Sequence, residues 1–355
     1  MKAIRKYEVI FLFVLVFGIA FASILGHSYD SAVSAQTPSP GKTALILEST
    51  IDDIGWGTLH HKGLQALKDQ LGYEIAFSEN VPPSEWENAA RSYAEQGYKY
   101  VIMGGPQFTD VTARIAPDYP ETMFLVTAAV PPLPDKPYPK NMVGIDPMNE
   151  QSGYLAGVLA AGMTNTNKTG IVAGFDYPNL VRMYEAFKLG AVTQNPQVTL
   201  FQVYIGSFLD VAKGFEAATG QFDAGTDVIF QDLDRAAFGV ITAVEENPGV
   251  WLIGNTNDQS SLAPNTTLTS AIMNHSAIIL NGIKGLDAGN ITGGEFYRWG
   301  IKEGVTGLAP YHETESKIPA ELKAKIEDLK KQMINGTFVV PEIYEKDGYK
   351  KNIKQ

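Results

Sequence analysis

Aromatic, carboxylate and amide residues follow the apolar runs of this sequence, at the points where the runs end. After the first run, Asp52 and Asp53 precede Trp56, and a later loop joins Phe208 to Asp210. Similar mixtures fill other loops of this kind, at residues 104–110, 174–177, 231–234 and 255–259. An aromatic ring offers a flat apolar face, while carboxylates and amides form hydrogen bonds at a ligand's edge. This combination suits the non-covalent binding of a flat heteroaromatic molecule or a sugar.

Sequence patterns typical of catalysis and metal binding do not occur in the chain. With no cysteine, a disulfide framework, a thiolate metal site and a cysteine nucleophile are excluded. The G-x-S-x-G, H-E-x-x-H and P-loop motifs are missing as well. His60 and His61 are adjacent, so they point to different faces of a helix, and we expect structural or exposed roles for them. We therefore expect no catalytic residue, no metal and no cofactor.

The composition indicates a folded, acidic protein with more than one core. Hydrophobic residues make up 45% of the 355 residues, which is enough apolar material for two domains. The formal net charge of -11 disfavours nucleic acid as a partner, because phosphate neutralisation needs clustered lysine and arginine. We expect a monomer that does not bind nucleic acid.

Short apolar runs alternate with amphipathic segments from residue 43 onward. The runs read as buried strands at 43–47, 99–103, 122–127, 169–173, 198–204, 226–230 and 250–254. The stretch 85–97 has helical spacing, a capping box formed by Ser84 with Glu87, and Gly97 as its end. Alternation of this kind predicts parallel sheets with helical crossovers. The number of units favours an α/β protein with two doubly wound lobes joined by a hinge.

The predicted boundaries divide the chain between these two lobes. The first lobe takes 43–145 plus about 274–292, and the second takes 146–273 plus about 293–345. The proline-rich stretch 131–140 marks the seam. Segments 149–163, rich in small residues, and 319–334, rich in charge, are predicted helices.

The first residues predict export. Lys2, Arg5 and Lys6 precede an uncharged apolar run at 9–25, which is typical of a signal peptide or a membrane anchor. By the positive-inside rule the remaining chain lies outside the cytoplasm. Residues 1–26 are therefore a signal peptide or a hydrophobic anchor helix, with both alternatives open, and 27–42 form a linker.

Several motifs recur in an order and spacing that resemble one known family. They are Asp53-Ile54-Gly55-Trp56-Gly57 leading to Gly63, EQSGYLAG at 150–157, GSFLD at 206–210 followed by Ala212-Lys213-Gly214, IGNTNDQ at 253–259 and FVVPEI at 338–343. The chain resembles the basic membrane protein family of substrate-binding proteins from about residue 43 to about 340. The resemblance implies the periplasmic-binding fold of sugar receptors and a purine nucleoside or base as ligand.

The resemblance also implies ligand-binding roles for particular residues. Trp56 and Phe208 match aromatics that stack on opposite faces of a purine, and Asp110 matches a carboxylate that accepts hydrogen bonds from the base edge. The implied ligand-binding set is Asp53, Trp56, Asp110, Phe208, Thr256, Asn257, Asp258 and Asn274.

Structural alternatives stand beside these roles. Trp56 and Phe208 could pack as ordinary rim or core aromatics. Asp110 could cap a helix that begins near Val111, and Asp53 could brace its own loop. Residues 256–258 could form an Asx turn.

The departures from the family pattern concern mainly the groups that would hold a sugar. The family asparagine after the first aromatic is Gly57 here, and the aspartate that holds ribose hydroxyls aligns with Thr256. The family lysine is replaced by Met273 and Asn274, and its glycine-rich turn by residues 232–235. A free purine-like base is therefore favoured over a nucleoside.

Three functional hypotheses follow. The first is an extracellular substrate-binding protein that delivers a small molecule to an ABC permease, with lobe closure around the ligand. The second is a surface receptor of the same fold that reports ligand to a signalling partner. The third, disfavoured because the strand ends lack a clustered-aspartate metal motif, is a secreted nucleoside hydrolase.

Overall fold

The computed structural model describes residues 40–53 and 55–353. The predicted signal peptide or anchor, and the linker up to residue 39, lie outside this range. Within the described residues, no helix combines the length and apolar character that a membrane span requires.

Strands and helices alternate along the described chain. The strands are β1 (Lys42–Ile46), β2 (Glu74–Ser78), β3 (Tyr100–Met103), β4 (Met123–Thr127), β5 (Met142–Pro147), β6 (Lys168–Ala173), β7 (Thr199–Tyr204), β8 (Val228–Asp232), β9 (Trp251–Thr256), β10 (Thr267–Met273), β11 (Phe296–Trp299) and β12 (Thr306–Leu308). The α-helices are α1 (Trp56–Leu71), α2 (Trp86–Glu95), α3 (Thr109–Ile115), α4 (Asn149–Met163), α5 (Pro178–Gln194), α6 (Val211–Asp223), α7 (Ala237–Glu246), α8 (His275–Asp287) and α9 (Ala320–Ile334). Short 3₁₀ turns lie at Pro83–Glu85, Pro106–Phe108, Ala116–Asp118, Ser260–Leu262, His312–Lys317 and Gly348–Asn352.

The strands form two sheets, as the two-lobe prediction requires. The first sheet has the order β11-β5-β4-β3-β1-β2, and all its strand pairs are parallel. The second has the order β12-β10-β9-β8-β6-β7, in which only the β10–β12 pair is antiparallel. Helices cover the faces of both sheets, so the strands are mostly buried, as continuous apolar runs predict. The α/β class with two parallel-dominated sheets is confirmed.

The chain passes between the sheets after β5, after β10 and after β11. The last passage differs from the predicted boundary, which assigned 293–345 to the second lobe. Phe296–Trp299 instead pairs in parallel with β5 of the first sheet, from Phe296 opposite Gly144 to Trp299 opposite Pro147. This strand has four half-buried residues and no continuous apolar run. No pattern in the sequence therefore predicts that β11 is the edge strand of the first sheet.

The predicted capping box of α2 is not formed. Ser84 lies inside the 3₁₀ turn Pro83–Glu85, and α2 begins at Trp86 without a side-chain cap. The indole nitrogen of Trp86 donates instead to the carbonyl of Val81 at 2.9 Å, which fixes the start of the helix. The predicted end is close to the observed one, since Gly97 follows α2 with a φ of 74°.

Buried charges lie where the chain leaves the first sheet. The Arg182 guanidinium of α5 contacts both oxygens of Asp146 in β5, at 2.9 and 3.2 Å, and its Nε lies 2.9 Å from Glu150 of α4. Arg298 of β11 contacts the same two carboxylates, at 3.2 Å to Asp146 and 2.7 Å to Glu150. Burial raises the pKa of Glu150, while the two arginines oppose this shift. This ion cluster joins residues of both lobes where the chain passes from one sheet to the other.

Helices α4 and α5 approach each other closely because glycines line their contact. A Cβ on Gly157 would overlap the carbonyl oxygen of Phe187, and one on Gly190 would overlap that of Tyr154. The backbones therefore touch where any side chain would hold them apart.

We expect Gly157→Ala to destabilise the protein by about 1–3 kcal/mol or more, because α5 must move to admit the methyl group. Gly220→Ala is the matched control: Gly220 is an exposed glycine of α6 with nothing within 4 Å of a Cβ. The control should be neutral or stabilising by up to about 1 kcal/mol, since alanine favours helix. Denaturant unfolding followed by circular dichroism measures both. Equal stability of the two variants would contradict the close contact.

Candidate functional site

Asp53 organises the loop between β1 and α1. Its carboxylate accepts backbone N–H hydrogen bonds from Gly55 at 2.9 Å, Gly57 at 2.7 Å and Thr58 at 3.1 Å. These are donors of the first turn of α1, which have no partner inside the helix. A side chain at Gly57 would overlap the carbonyl oxygen of Thr50, so only glycine fits there. The loop is thus fixed by its own contacts.

Trp56 is the first residue of α1 and is half-buried. Its indole nitrogen donates to the carbonyl of Gly104 at 2.9 Å, which ties α1 to the loop after β3. Its ring contacts the imidazoles of His60 and His275, with centroids 4.9 and 4.2 Å apart. Part of the indole stays exposed. The first lobe therefore holds this ring in one orientation and leaves some of its surface exposed.

His60 and His275 form a stacked pair behind Trp56. Their ring centroids are 4.4 Å apart with an interplanar angle of 17°. His60 Nδ1 donates to the carbonyl of Trp56 at 2.7 Å, so its Nε2 accepts from the hydroxyl of Thr127 at 2.7 Å. Burial lowers the pKa of His60 to about 4 and that of His275 below its usual value, so both rings are neutral. The structural role predicted for His60 fits these contacts.

The second lobe contributes an aromatic cluster at the ends of β6 and β7. The ring of Phe208 lies over Gly174, where no side chain would fit, and contacts Phe175 edge-on at 5.2 Å. Phe175 stacks on Tyr177, with centroids 5.3 Å apart and an interplanar angle of 5°. Phe208 is half-buried and also packs against the core of its lobe. Tyr177, which the sequence analysis did not single out, is 51% exposed.

Asp232 lies at the carboxyl end of β8 in a buried hydrogen-bond network. The hydroxyl of Tyr184 donates to one of its oxygens and the amide nitrogen of Asn255 to the other. Burial raises the pKa of Asp232, whereas the two donors oppose the shift. The side-chain oxygen of Asn255 has no hydrogen-bond partner within residues 40–53 and 55–353. The network thus presents one unused acceptor.

Asp234 brings the second lobe into contact with the first. Its Oδ1 lies 2.5 Å from the position that a Cβ on Gly55 would occupy, so a side chain at Gly55 would displace this carboxylate. Its carboxylate faces the backbone N–H of Trp56 at the start of α1. Burial, together with the neighbouring charges of Asp53 and Asp232, raises the pKa of Asp234 to about 7. Loops after β1 and β8 therefore meet at one place.

Three other predicted site residues differ in exposure and in their hydrogen-bond partners. Asp110 lies exposed in the first turn of α3, without a capping hydrogen bond from its side chain to that helix. The Asp258 carboxylate accepts from the Ser260 backbone at 3.0 Å and lies 2.7 Å from His312 Nε2. The Asn274 side chain caps α8 by accepting from Ala277 at 3.0 Å.

Thr256 adopts a positive φ of 71°, which is uncommon for a β-branched residue, and Asn257 follows it. This backbone turns the end of β9 sharply.

The structure brings some of the predicted residues together. Asp53 and Trp56 lie close to Asp234, and Asn274 lies next to His275, whose ring contacts Trp56. Asp258 is turned towards His312 of its own lobe.

The predicted ligand-binding set included neither Asp234 nor His275, both of which contact Trp56. Asp234 stands in a loop that the sequence analysis noted for its lost glycines, and a carboxylate after a buried strand was an available signal. His275 had no such signal, because its neighbour Trp56 is distant in sequence. Within the described residues, no group of three metal-ligating side chains is close enough to hold an ion.

Two parallel-sheet lobes with aromatic and polar loops at their strand ends define a two-lobed binding protein. The model for the PnrA-like ABC transporter substrate-binding proteins, the Bmp family, matches residues 41–344. The chain belongs to this family, which confirms the resemblance indicated by its motifs. A substrate-binding role for an ABC transporter follows, with a small-molecule ligand and a membrane permease as partner.

Individual relatives agree with this assignment. Basic membrane protein A1 of Borrelia garinii subsp. bavariensis is 28% identical over 340 residues, which cover 95% of this chain and 98% of the relative. ABC transporter nucleoside-binding protein BmpA of Lactococcus lactis subsp. cremoris is 26% identical, with coverage of 89% and 93%. A solute-binding protein of an ABC transporter system from Aeropyrum pernix K1 has a similar structure, with a TM-score of 0.76 at 21% identity over 88% of this chain and 96% of that chain.

We expect Asp53→Ala to lower the free energy of unfolding by about 0.5–2 kcal/mol, because the first turn of α1 loses its acceptor. The neighbouring Asp52 is exposed and serves as the matched control. Asp52→Ala should change stability by less than about 0.5 kcal/mol. Thermal and denaturant unfolding measure both variants, and a similar loss in each would show that Asp53 does not organise the loop.

Proposed function

We propose that this chain captures a flat purine-like molecule between its lobes and delivers it to an ABC permease. Trp56 would cover one face of the ligand and Phe208, with its aromatic neighbours, the other. The observation that carries the proposal is the meeting of the two strand-end edges where Asp234 faces the start of α1. A ligand held there contacts both lobes and therefore favours their closure.

Half-buried aromatic rings on each lobe support a flat ligand over a branched one. Trp56 is fixed by the Gly104 hydrogen bond and the two histidines, so it loses little freedom on binding. Phe208 is supported by Phe175 in the same way. Each stacking contact contributes about 0.5–1.5 kcal/mol beyond the burial of its area. The relative from Lactococcus lactis, a nucleoside-binding protein, supports the same ligand class.

The surroundings of Gly57 favour a free base over a nucleoside. A Cβ there would overlap the carbonyl oxygen of Thr50, so the asparagine of the family pattern has no room in this loop. Thr256 replaces the carboxylate that the family uses for ribose hydroxyls. The hydrogen bonds lost by these changes would serve the sugar, whereas the stacking rings remain.

We also propose where the protein acts. The basic start and the apolar run at 9–25 place the folded part on the extracellular side, either anchored by the N-terminal segment or secreted after cleavage. The protein acts as a monomer in this proposal and performs no catalysis.

The ligand class is tested by mass spectrometry of small molecules extracted from the purified protein, combined with thermal-shift screening of bases, nucleosides and sugars. A ligand that binds the folded state should raise Tm, by an amount equivalent to about 2.7 kcal/mol at a hundredfold excess over Kd. Purine bases should give the largest shifts. Stabilisation by sugars alone would overturn the purine assignment.

We expect Trp56→Ala to weaken ligand binding by about 1–3 kcal/mol, and Trp56→Phe to retain most of the affinity because a stacking ring remains. Trp86 provides a matched control. It is a half-buried tryptophan of the same lobe whose indole also donates to a carbonyl at 2.9 Å, but it packs on Phe108 in a different core. Calorimetry should show that Trp86→Ala lowers stability and leaves Kd of the folded protein unchanged. An unchanged Kd in Trp56→Ala would remove Trp56 from the site.

A further inference from the structure

Carboxylates dominate the loops at the carboxyl ends of the strands. In the segments 48–55, 104–110, 174–177, 205–210, 231–236 and 257–259, Arg235 is the one basic residue. Arg235 is exposed, whereas Asp53 and Asp232 are buried. The mouth of the site therefore carries a negative potential that its own residues do not neutralise.

Asp234 lies close enough to two other carboxylates, Asp53 and Asp232, for their charges to repel its own. The pKa of the Asp234 carboxyl is raised to about 7. Burial is the largest cause, and the charges of Asp53 and Asp232 add to it. Asp53 is satisfied by three backbone donors, and Asp232 by Tyr184 and Asn255. The Asp234 carboxylate lies against Gly55 of the β1–α1 loop, and the donor that acts on its pKa is the backbone N–H of Trp56. It is therefore the carboxylate with capacity for a further donor or positive charge.

A second observation points to a ligand that donates hydrogen bonds. Asn255 is 1% exposed and its amide nitrogen donates to Asp232, so its carboxamide lies beside one of these carboxylates. Its Oδ1 has no partner among the described residues. A buried acceptor without a donor costs about 1–3 kcal/mol. Both the charge and the unused acceptor are satisfied by a ligand that brings N–H groups and a positive charge.

We infer that the site selects a cationic, N–H-bearing nitrogen heterocycle over its neutral isostere, with Asp234 as the specificity-determining residue. This inference rests on the proposed function and narrows its ligand class. A positive ring charge also strengthens stacking on the indole of Trp56 through the cation–π interaction. Anionic ligands such as nucleotides are rejected by the same carboxylates.

The pH dependence follows from the charges around Asp234. The groups that face it are Asp53 on the β1–α1 loop, Asp232 at the end of β8, and the N–H of Trp56. A cationic ligand favours the ionised form of Asp234, so binding releases a proton below pH 7. Affinity for a cation should then rise with pH, by about eightfold between pH 6 and pH 7.5 for a pKa of about 7.

The test uses isomers that differ only in the position of one methyl group. 1-Methyladenosine is protonated at neutral pH and N6-methyladenosine is neutral. The corresponding 9-methylated bases, 1,9-dimethyladenine and N6,9-dimethyladenine, form the same pair without ribose. Calorimetry at pH 6, 7 and 7.5 should show at least tenfold tighter binding of the cationic isomer at pH 7.5, and a preference that shrinks at pH 6.

Asp234→Asn removes the charge and keeps the size of the side chain. It should abolish both the preference and its pH dependence. Asp210→Asn is the matched control, because it removes a charge from another of these loops. Asp210 caps α6 by accepting a hydrogen bond from the backbone N–H of Lys213 at 3.1 Å, and asparagine can still form this cap. This control should retain the preference.

The outcomes separate the two proposals. Equal or tighter binding of the neutral isomers overturns the charge inference and leaves the purine assignment standing. A preference that survives in Asp234→Asn overturns the role of Asp234. Failure of every purine to bind, cationic or neutral, overturns the proposed function and this inference together.

Discussion

The burial of Arg182 between Asp146 and Glu150 constrains how the two lobes are joined. Its side chain is 3% exposed, and an unpaired charge at that depth would be strongly unfavourable, so the carboxylates of β5 and α4 must stay beside it. Arg298 adds a second cation from β11. Since β5 and β11 are neighbours in the first sheet while α4 and α5 belong to the second lobe, this ion cluster fixes the strands from which the lobes extend. Positions of the facing loops depend on it.

The facing loops differ in how their side chains are held. On the first lobe, Asp53 is saturated by backbone donors and Trp56 is locked by Gly104, His60 and His275, so the surface is preorganised. On the second lobe, Asp234 reaches across to α1 with few donors of its own. A rigid aromatic wall therefore faces a carboxylate whose charge is under-compensated. In the proposed function, the aromatic wall binds the flat face of the ligand and the carboxylate discriminates between ligands by charge.

Close backbone contacts serve both stability and binding in this chain. Gly157 and Gly190 let α4 and α5 pack without intervening side chains, which gives the second lobe a dense core. Gly55 leaves space for the Asp234 carboxylate, and Gly174 leaves space for the Phe208 ring. In each case the neighbouring backbone or side chain can approach closely because glycine has no side chain. The same physical rule therefore operates in the core and at the site.

The sequence by itself determined seven of the strands, the helices α2, α4 and α9, the α/β class with two sheets, the family and the loops that carry aromatic and polar groups. Periodicity and burial of continuous apolar runs are local properties, so strands such as β1 and β9 and the bounds of α4 were predictable to within a residue or two. The order and spacing of the motifs indicated the family. The tertiary structure alone decided the membership of β11, because a half-buried four-residue strand is recognised only by its partner β5. It also decided that Asp234 meets Trp56 and that His275 stacks on His60, since these pairs are distant in the chain and their contacts depend on how the lobes and crossings are placed in space.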